Sequence, residues 1–104
     1  MKVTLILEKL SIECEICGEE EYFYFTVRTE RGETIIPFTR DYPSLTIKIA
    51  HRVRTRGMRR KLFSEHAKEC GLTKKQLSSL LGYASKFSRF PLYKNHREVY
   101  EIEI

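Results

Sequence analysis

The chain has 104 residues, of which 41% are hydrophobic and 32% are charged. This length suits one domain with a small core, and the lack of any apolar run of about eighteen residues excludes a membrane-spanning helix. The N-terminal residues alternate and then become charged, without a small-residue cleavage site, which predicts an intracellular protein. Gln76 and Asn95 are the only side-chain amides among many charged residues, a composition typical of thermophilic proteins.

Charge is divided unevenly along the chain, whose formal net charge is +5. Residues 1–38 carry four Lys/Arg and eight Glu, a net of −4, whereas residues 39–104 carry fifteen Lys/Arg and six acids, a net of +9. Such asymmetry predicts one surface that meets an anionic partner.

The first half of the chain has the alternation of β-strands. Residues 2–9 and 21–28 alternate and are rich in β-forming types, and residues 34–38 follow a turn in which Gly32 can take a positive φ. Pro37 predicts an edge strand or an early end. A further strand is predicted over 45–53.

The second half has a helical pattern over about 57–90, in three pieces. Gly71 and Gly82 lie where C-cap glycines are expected, and Thr73 is a predicted N-cap with Gln76 as its capping-box partner. Pro91 ends the third piece. Residues 97–104 alternate again and predict a last strand that returns to the N-terminal sheet. The predicted fold is therefore one α+β domain, a small antiparallel sheet with a helical segment.

Four residues have the spacing of metal ligands. Cys14 and Cys17 form a C-x2-C pair followed by glycine, and His66 and Cys70 are four residues apart on one helix face. Three sulfurs and one nitrogen make a closed tetrahedral set, which predicts a structural zinc that fixes the hairpin to the helix. The pattern resembles the C-x2-C…H-x3-C zinc-finger superclass in these ligands and their immediate neighbours.

Other interpretations of these residues stay open. A C-x2-C pair can be a redox site, but the surrounding glutamates would raise its thiol pKa. Cys70 can be a core thiol and His66 a surface histidine, and either His51 or His96 can replace His66 as a ligand. An odd number of cysteines in an intracellular chain disfavours a structural disulfide.

A basic stretch at 48–61 contains seven Lys/Arg and no acid. If the strand continues, alternate arginines emerge on one face about 7 Å apart, close to the phosphate repeat of one nucleic-acid strand. Arginine donates paired hydrogen bonds to phosphate. The predicted phosphate contacts are Arg52, Arg54, Arg56, Arg59, Arg60 and Lys61; the alternative is a solvated strand end.

Residues 71–90 resemble the helix-turn-helix segment of phage-repressor-type DNA-binding domains. A Gly-Leu-Thr start opens one helix, leucines pack on the core, and Gly82 makes the turn. The resemblance implies a recognition helix in the major groove, with DNA favoured over RNA and a possible homodimer. The residues implied to face the DNA groove are Ser85, Lys86, Ser88 and Arg89, and Lys74 and Lys75 are further predicted nucleic-acid contacts. The alternative is a helical hairpin packed on the sheet through its leucines and phenylalanines.

No enzyme chemistry is predicted. Asp41 is the only aspartate, and no nucleophile elbow or phosphate-binding glycine loop is present. Tyr22 and Tyr24 share a strand face and can stack on unpaired bases, although packing within the sheet is favoured. The sequence predicts a small zinc-containing DNA-binding regulator of transcription; the alternative is a module that binds an acidic protein.

Overall fold

The computed structural model describes residues 1–14, 18–38 and 61–104, with backbone alone for a few strand residues at the first hairpin. It is an α+β fold in which helices cover one face of a four-stranded antiparallel sheet. The strands are β1 (Lys2–Cys14), β2 (Gly18–Thr29), β3 (Gly32–Phe38) and β4 (His96–Glu103). Their order in the sheet is β3-β2-β1-β4. The predicted strand over 45–53 lies outside the described residues.

The N-terminal hairpin runs the length of the sheet. β1 and β2 pair without a break from Val3 opposite Thr29 to Cys14 opposite Gly18. β4 pairs antiparallel with β1, which confirms that the last strand returns to the N-terminal sheet. Pro37 lies on β3, which is an outer strand of the described sheet, as its missing N–H predicts.

Alternation in the strands divides the sheet into a buried face and an opposite face. On the helix-facing side of β1 the buried side chains are Val3, Leu5, Leu7 and then Lys9, all 0% exposed, and Ile6 on the other face is 7% exposed. Their cross-strand neighbours are Val27, Phe25 and Phe23 on β2, and Ile36 and Phe38 on β3. This apolar layer packs against the helical residues Ala67, Cys70, Leu72, Leu77, Leu80, Ala84, Phe87 and Phe90.

The first helix, α1 (Phe63–Glu69), ends in a Schellman motif. Gly71 has φ +70, its N–H donates to Lys68 O at 3.1 Å, and the N–H of Leu72 donates to Ala67 O at 2.9 Å. These bonds satisfy carbonyls that the helix end leaves free. The predicted C-cap glycine at Gly71 is confirmed.

The end of α1 docks on the turn between β2 and β3. The hydroxyl of Thr29 donates to the Cys70 carbonyl at 2.6 Å, and Arg31 Nη1 donates to the Gly71 carbonyl at 3.1 Å. A Cβ on Gly32, whose φ is +153, would lie 2.1 Å from the Glu69 carbonyl oxygen. Only glycine therefore permits this approach of helix and turn.

The second helix, α2 (Lys74–Leu80), begins with the predicted capping box. Thr73 Oγ1 accepts the N–H of Gln76 at 3.1 Å, and Gln76 Oε1 accepts the N–H of Thr73 at 3.0 Å. Leu77 and Leu80 turn one face of the helix into the core. None of the helices in the described chain is long and apolar enough to cross a membrane.

The third piece is a 3₁₀ helix, Leu81–Arg89, that follows α2 directly. Ala84, Phe87 and Phe90 are buried at intervals of three, the repeat of a 3₁₀ helix rather than of an α-helix. Two predictions are corrected here. Gly82 lies inside this 3₁₀ helix instead of ending α2 with a turn, and the implied α-helical recognition helix does not form, because its apolar residues have the shorter period.

Candidate nucleic-acid interface and the predicted metal ligands

The strand register separates the two predicted ligand pairs. Cys70 lies beside Thr29, which is opposite Val3, whereas Cys14 is opposite Gly18 at the other end of the hairpin. Eleven residue steps of strand at about 3.3 Å each span about 36 Å. Ligands of one zinc ion lie within about 2.3 Å of the metal. One ion cannot contact both Cys14 and the pair of His66 and Cys70 in this arrangement, so a centre that includes these three residues does not fit the register.

His66 and Cys70 are both buried and have partners within the core. Thr34 Oγ1 and His66 Nδ1 share a hydrogen bond of 2.7 Å. The Cys70 thiol donates toward the carbonyls of His66 and Ala67, at 3.5 and 3.4 Å. Burial lowers the pKa of His66 and raises the pKa of the Cys70 thiol. Both shifts favour the neutral side chains, which suits core residues and disfavours a thiolate ligand.

The substitute ligands do not complete the set. His96 is opposite Lys9, five residue steps or about 16 Å from Cys14 along β1, and its Nε2 is 3.0 Å from Glu98 Oε1. His51 and Cys17 lie outside the described residues. Over 1–14, 18–38 and 61–104 no group of three or more His, Cys, Asp or Glu side chains could hold a metal. Zinc binding by the C-x2-C pair stays a prediction.

The predicted arginine stretch falls mostly outside the described chain. Arg52, Arg54, Arg56, Arg59 and Arg60 are not among the described residues, so their contacts with phosphate stay predictions. Lys61 is described, and its Nζ lies 2.6 Å from Glu69 Oε1. Lys61 is therefore already paired with a carboxylate.

Every lysine and arginine on the four strands has a carboxylate partner. Lys9 Nζ is 3.0 Å from Glu21 Oε1, and Arg28 Nε is 2.6 Å from Glu33 Oε2. The other strand cations, Lys2 and Arg97, pair with Glu101 and Glu8 at 3.3 and 3.9 Å. The sheet is thus locally neutralised by its own glutamates.

The helical part of the chain is different. Residues 61–94 contain seven Lys/Arg and only two Glu. Five of these cations are exposed and make no ion pair with any described residue. We call them the helical-layer cations: Lys68, Lys74, Lys75, Arg89 and Lys94. Positive charge is therefore concentrated on the helices and, at Lys94, on the turn that leads from them to β4.

The residues implied to enter a DNA groove differ in whether their polar groups are free to contact a ligand. Ser85 and Ser88 are exposed, but their hydroxyls donate to the carbonyls of Gly82 and Ser85 at 2.9 Å each. Lys86 Nζ lies 4.8 Å from the centroid of the Tyr100 ring and 5.7 Å from that of Tyr83, a cation–π arrangement. Arg89 is exposed. The 3₁₀ helix thus presents Arg89 to a ligand and uses the serines and Lys86 locally.

Lys9 is a buried cation that is not among the predicted site residues. Its side chain is fully buried at the end of the apolar row of β1, and Glu21, 14% exposed, accepts its hydrogen bond. Glu21 also accepts the N–H of Tyr93 at 3.0 Å. The alternation of Val3, Leu5 and Leu7 already predicts that the next inward position is Lys9, so the signal was present. The favoured interpretation of Tyr24 agrees with its 8% exposure.

Comparisons with protein-family models, with curated proteins and with solved structures found no match to this chain. The function is therefore inferred from the charges and contacts of the chain itself.

Proposed function

We propose that this protein binds nucleic acid through phosphate contacts made by the helical-layer cations together with the arginines of 52–60. The observation that carries the proposal is the contrast in pairing: the strand cations have carboxylate partners, and the helical-layer cations have none among the described residues. Unpaired like charges on one layer are offset best by a polyanion.

The proposal concerns the phosphate backbone and not base sequence. Contacts to phosphates position a protein but carry no sequence information, and the 3₁₀ helix offers Arg89 rather than an α-helical row of side chains to a groove. A transcriptional role and a preference for DNA over RNA were implied by the helix-turn-helix resemblance. They stay predictions for the experiment to decide.

The test is fluorescence anisotropy with labelled duplex DNA, duplex RNA and single strands, repeated over a range of salt concentrations. We expect affinity that falls steeply with salt, because each neutralised phosphate contributes a slope of about −0.9 in log K against log salt for duplex DNA. Lys74→Glu should weaken binding and reduce that slope by about one.

A matched control lies on the opposite face of the sheet. Arg28→Glu changes the net charge as Lys74→Glu and Arg89→Glu do. Arg28 is 53% exposed, so its replacement should leave the fold intact. An equal loss of affinity in Arg28→Glu would contradict a defined interface. Failure of the wild type to bind any of the probes at low salt would instead favour an acidic protein partner.

A further inference from the structure

β4 has one row of backbone polar groups directed away from the described sheet. Met1 N donates to the Ile104 carbonyl at 2.7 Å, and Ile104 N donates to the Met1 carbonyl at 2.9 Å. These two bonds make Met1 and Ile104 a hydrogen-bonded pair of the β1–β4 ladder. Alternation in an antiparallel ladder then directs the odd-numbered residues of β4 outward. Those residues are Arg97, Val99, Glu101 and Glu103.

This edge can accept a strand. β4 contains neither proline nor glycine, and all four of its outward residues are exposed, Val99 at 51%. β3, the other outer strand of the described sheet, contains Pro37, which cannot donate a ladder hydrogen bond. Across the described residues, β4 pairs only with β1. Long outer strands of this kind are templates for pairing with another chain.

The charges on β4 favour a second copy of the same strand. Arg97 lies near the start of β4, and Glu101 and Glu103 lie near its end. Antiparallel pairing places the start of one strand against the end of the other, so opposite charges meet. Parallel pairing in register would place like charges together, which is destabilising.

We propose that two copies of this chain pair antiparallel along β4, with Val99 on the two-fold axis. In this register Arg97 of each copy lies opposite Glu101 of the other, and both residues direct their backbone groups across the interface. Within one chain Glu8 lies 3.9 Å from Arg97, and Lys2 lies 3.3 Å from Glu101. Pairing therefore makes a row of alternating charge, in the order Glu8 and Arg97 of one copy, then Glu101 and Lys2 of the other. The two-fold axis produces this row a second time.

Symmetry fixes the arrangement of the two helical layers. Directly opposed residues of an antiparallel pair point to the same face of the sheet, so a two-fold axis through Val99 is perpendicular to the sheet. Both helical layers then lie on one side of a sheet that continues through both copies. The proposal does not depend on nucleic-acid binding, since it concerns the strand edge alone.

The test is the molar mass in solution, measured by light scattering and sedimentation over a wide range of protein concentration. We expect a dimer of twice the 12.4 kDa chain mass. Val99→Pro removes an outward N–H without breaking a bond to β1, and it should yield folded monomer. Arg97→Glu and Glu101→Arg should each raise the dissociation constant about tenfold or more, because two symmetric ion pairs become repulsive.

A mixing experiment gives the sharpest result. Arg97→Glu places Glu against Glu across the axis, and Glu101→Arg places Arg against Arg. A mixture of the two variants restores both attractive pairs, so it should form a heterodimer although neither variant dimerises well alone. A monomeric wild type, or a dimer unaffected by these replacements, or no gain on mixing would each overturn the proposal. If Val99→Pro fails to fold, the charge variants decide alone.

Discussion

The buried pair of Lys9 and Glu21 allows a quantitative test of how charge is held at the end of the core. At the 3.0 Å separation of Lys9 Nζ and Glu21 Oε1, the Coulomb attraction at an effective dielectric constant of about 20 is about 5.5 kcal/mol. Desolvation of the two ions offsets most of it. Lys9→Met keeps an unbranched side chain but removes the ammonium, and breaking a buried pair in this way costs about 3–5 kcal/mol.

The two single replacements, Lys9→Met and Glu21→Gln, should destabilise the protein by different amounts. After Lys9→Met, Glu21 is still 14% exposed and still accepts the N–H of Tyr93. We therefore expect a loss of stability at the lower end of that range, about 3 kcal/mol. Glu21→Gln leaves a fully buried ammonium without its carboxylate and should cost more. The double variant buries no charge and retains an acceptor for Tyr93, so it should lie within about 1 kcal/mol of the wild type.

Urea unfolding of the wild type, the two single variants and the double variant completes a double-mutant cycle. Residues in one ion pair show non-additive effects on stability in such a cycle. A cost below about 1 kcal/mol for Lys9→Met, or a double variant as unstable as the sum of the two singles, would contradict a buried ion pair between Lys9 and Glu21.

Two further predictions concern the proposed ligands. Burial holds the pKa of His66 below its usual 6.5, so as pH falls the unfolded chain binds this proton before the folded chain does. The free energy of unfolding should therefore keep its full value above pH 6.5 and decline as pH falls toward the pKa of the folded state. Urea unfolding should show this decline in the wild type and not in His66→Gln; equal pH profiles would contradict it. If the C-x2-C pair binds zinc, Cys17→Ser should release metal and lower the melting temperature, as elemental analysis and calorimetry would show. Unchanged metal content and melting would count against zinc.

The extent of the sheet could be predicted only in part. Alternation identified the inner part of each hairpin strand, but pairing continues through residues 11–14 opposite 18–21, where charged residues are frequent. Backbone hydrogen bonds can extend a ladder without apolar side chains, so the hydrophobic pattern underestimates strand length. Register also decides which motifs meet. The two ligand pairs have suitable local spacing, yet a long hairpin holds them apart, and no local motif carries that information.

The helical half shows a different limit. The capping box at Thr73 and the C-cap at Gly71 are local bonds between near neighbours, and the sequence was sufficient to predict both. The sequence predicts a helix over the segment that contains Ala84, Phe87 and Phe90 but does not give its type, because over nine residues a period of three differs little from one of 3.6. Their strict interval of three was the available signal for the 3₁₀ helix.

The three-residue repeat of Leu81–Arg89 also determines which changes of length this segment can tolerate. Inserting three residues adds one turn and returns Ala84, Phe87 and Phe90 to the buried side. Inserting one residue rotates everything after it by about 120°, which would bring a serine or a charged residue into the position of Phe87. An insertion of four residues, close to one turn of an α-helix, would be as damaging here as an insertion of one. Length variation at this site should therefore occur in units of three.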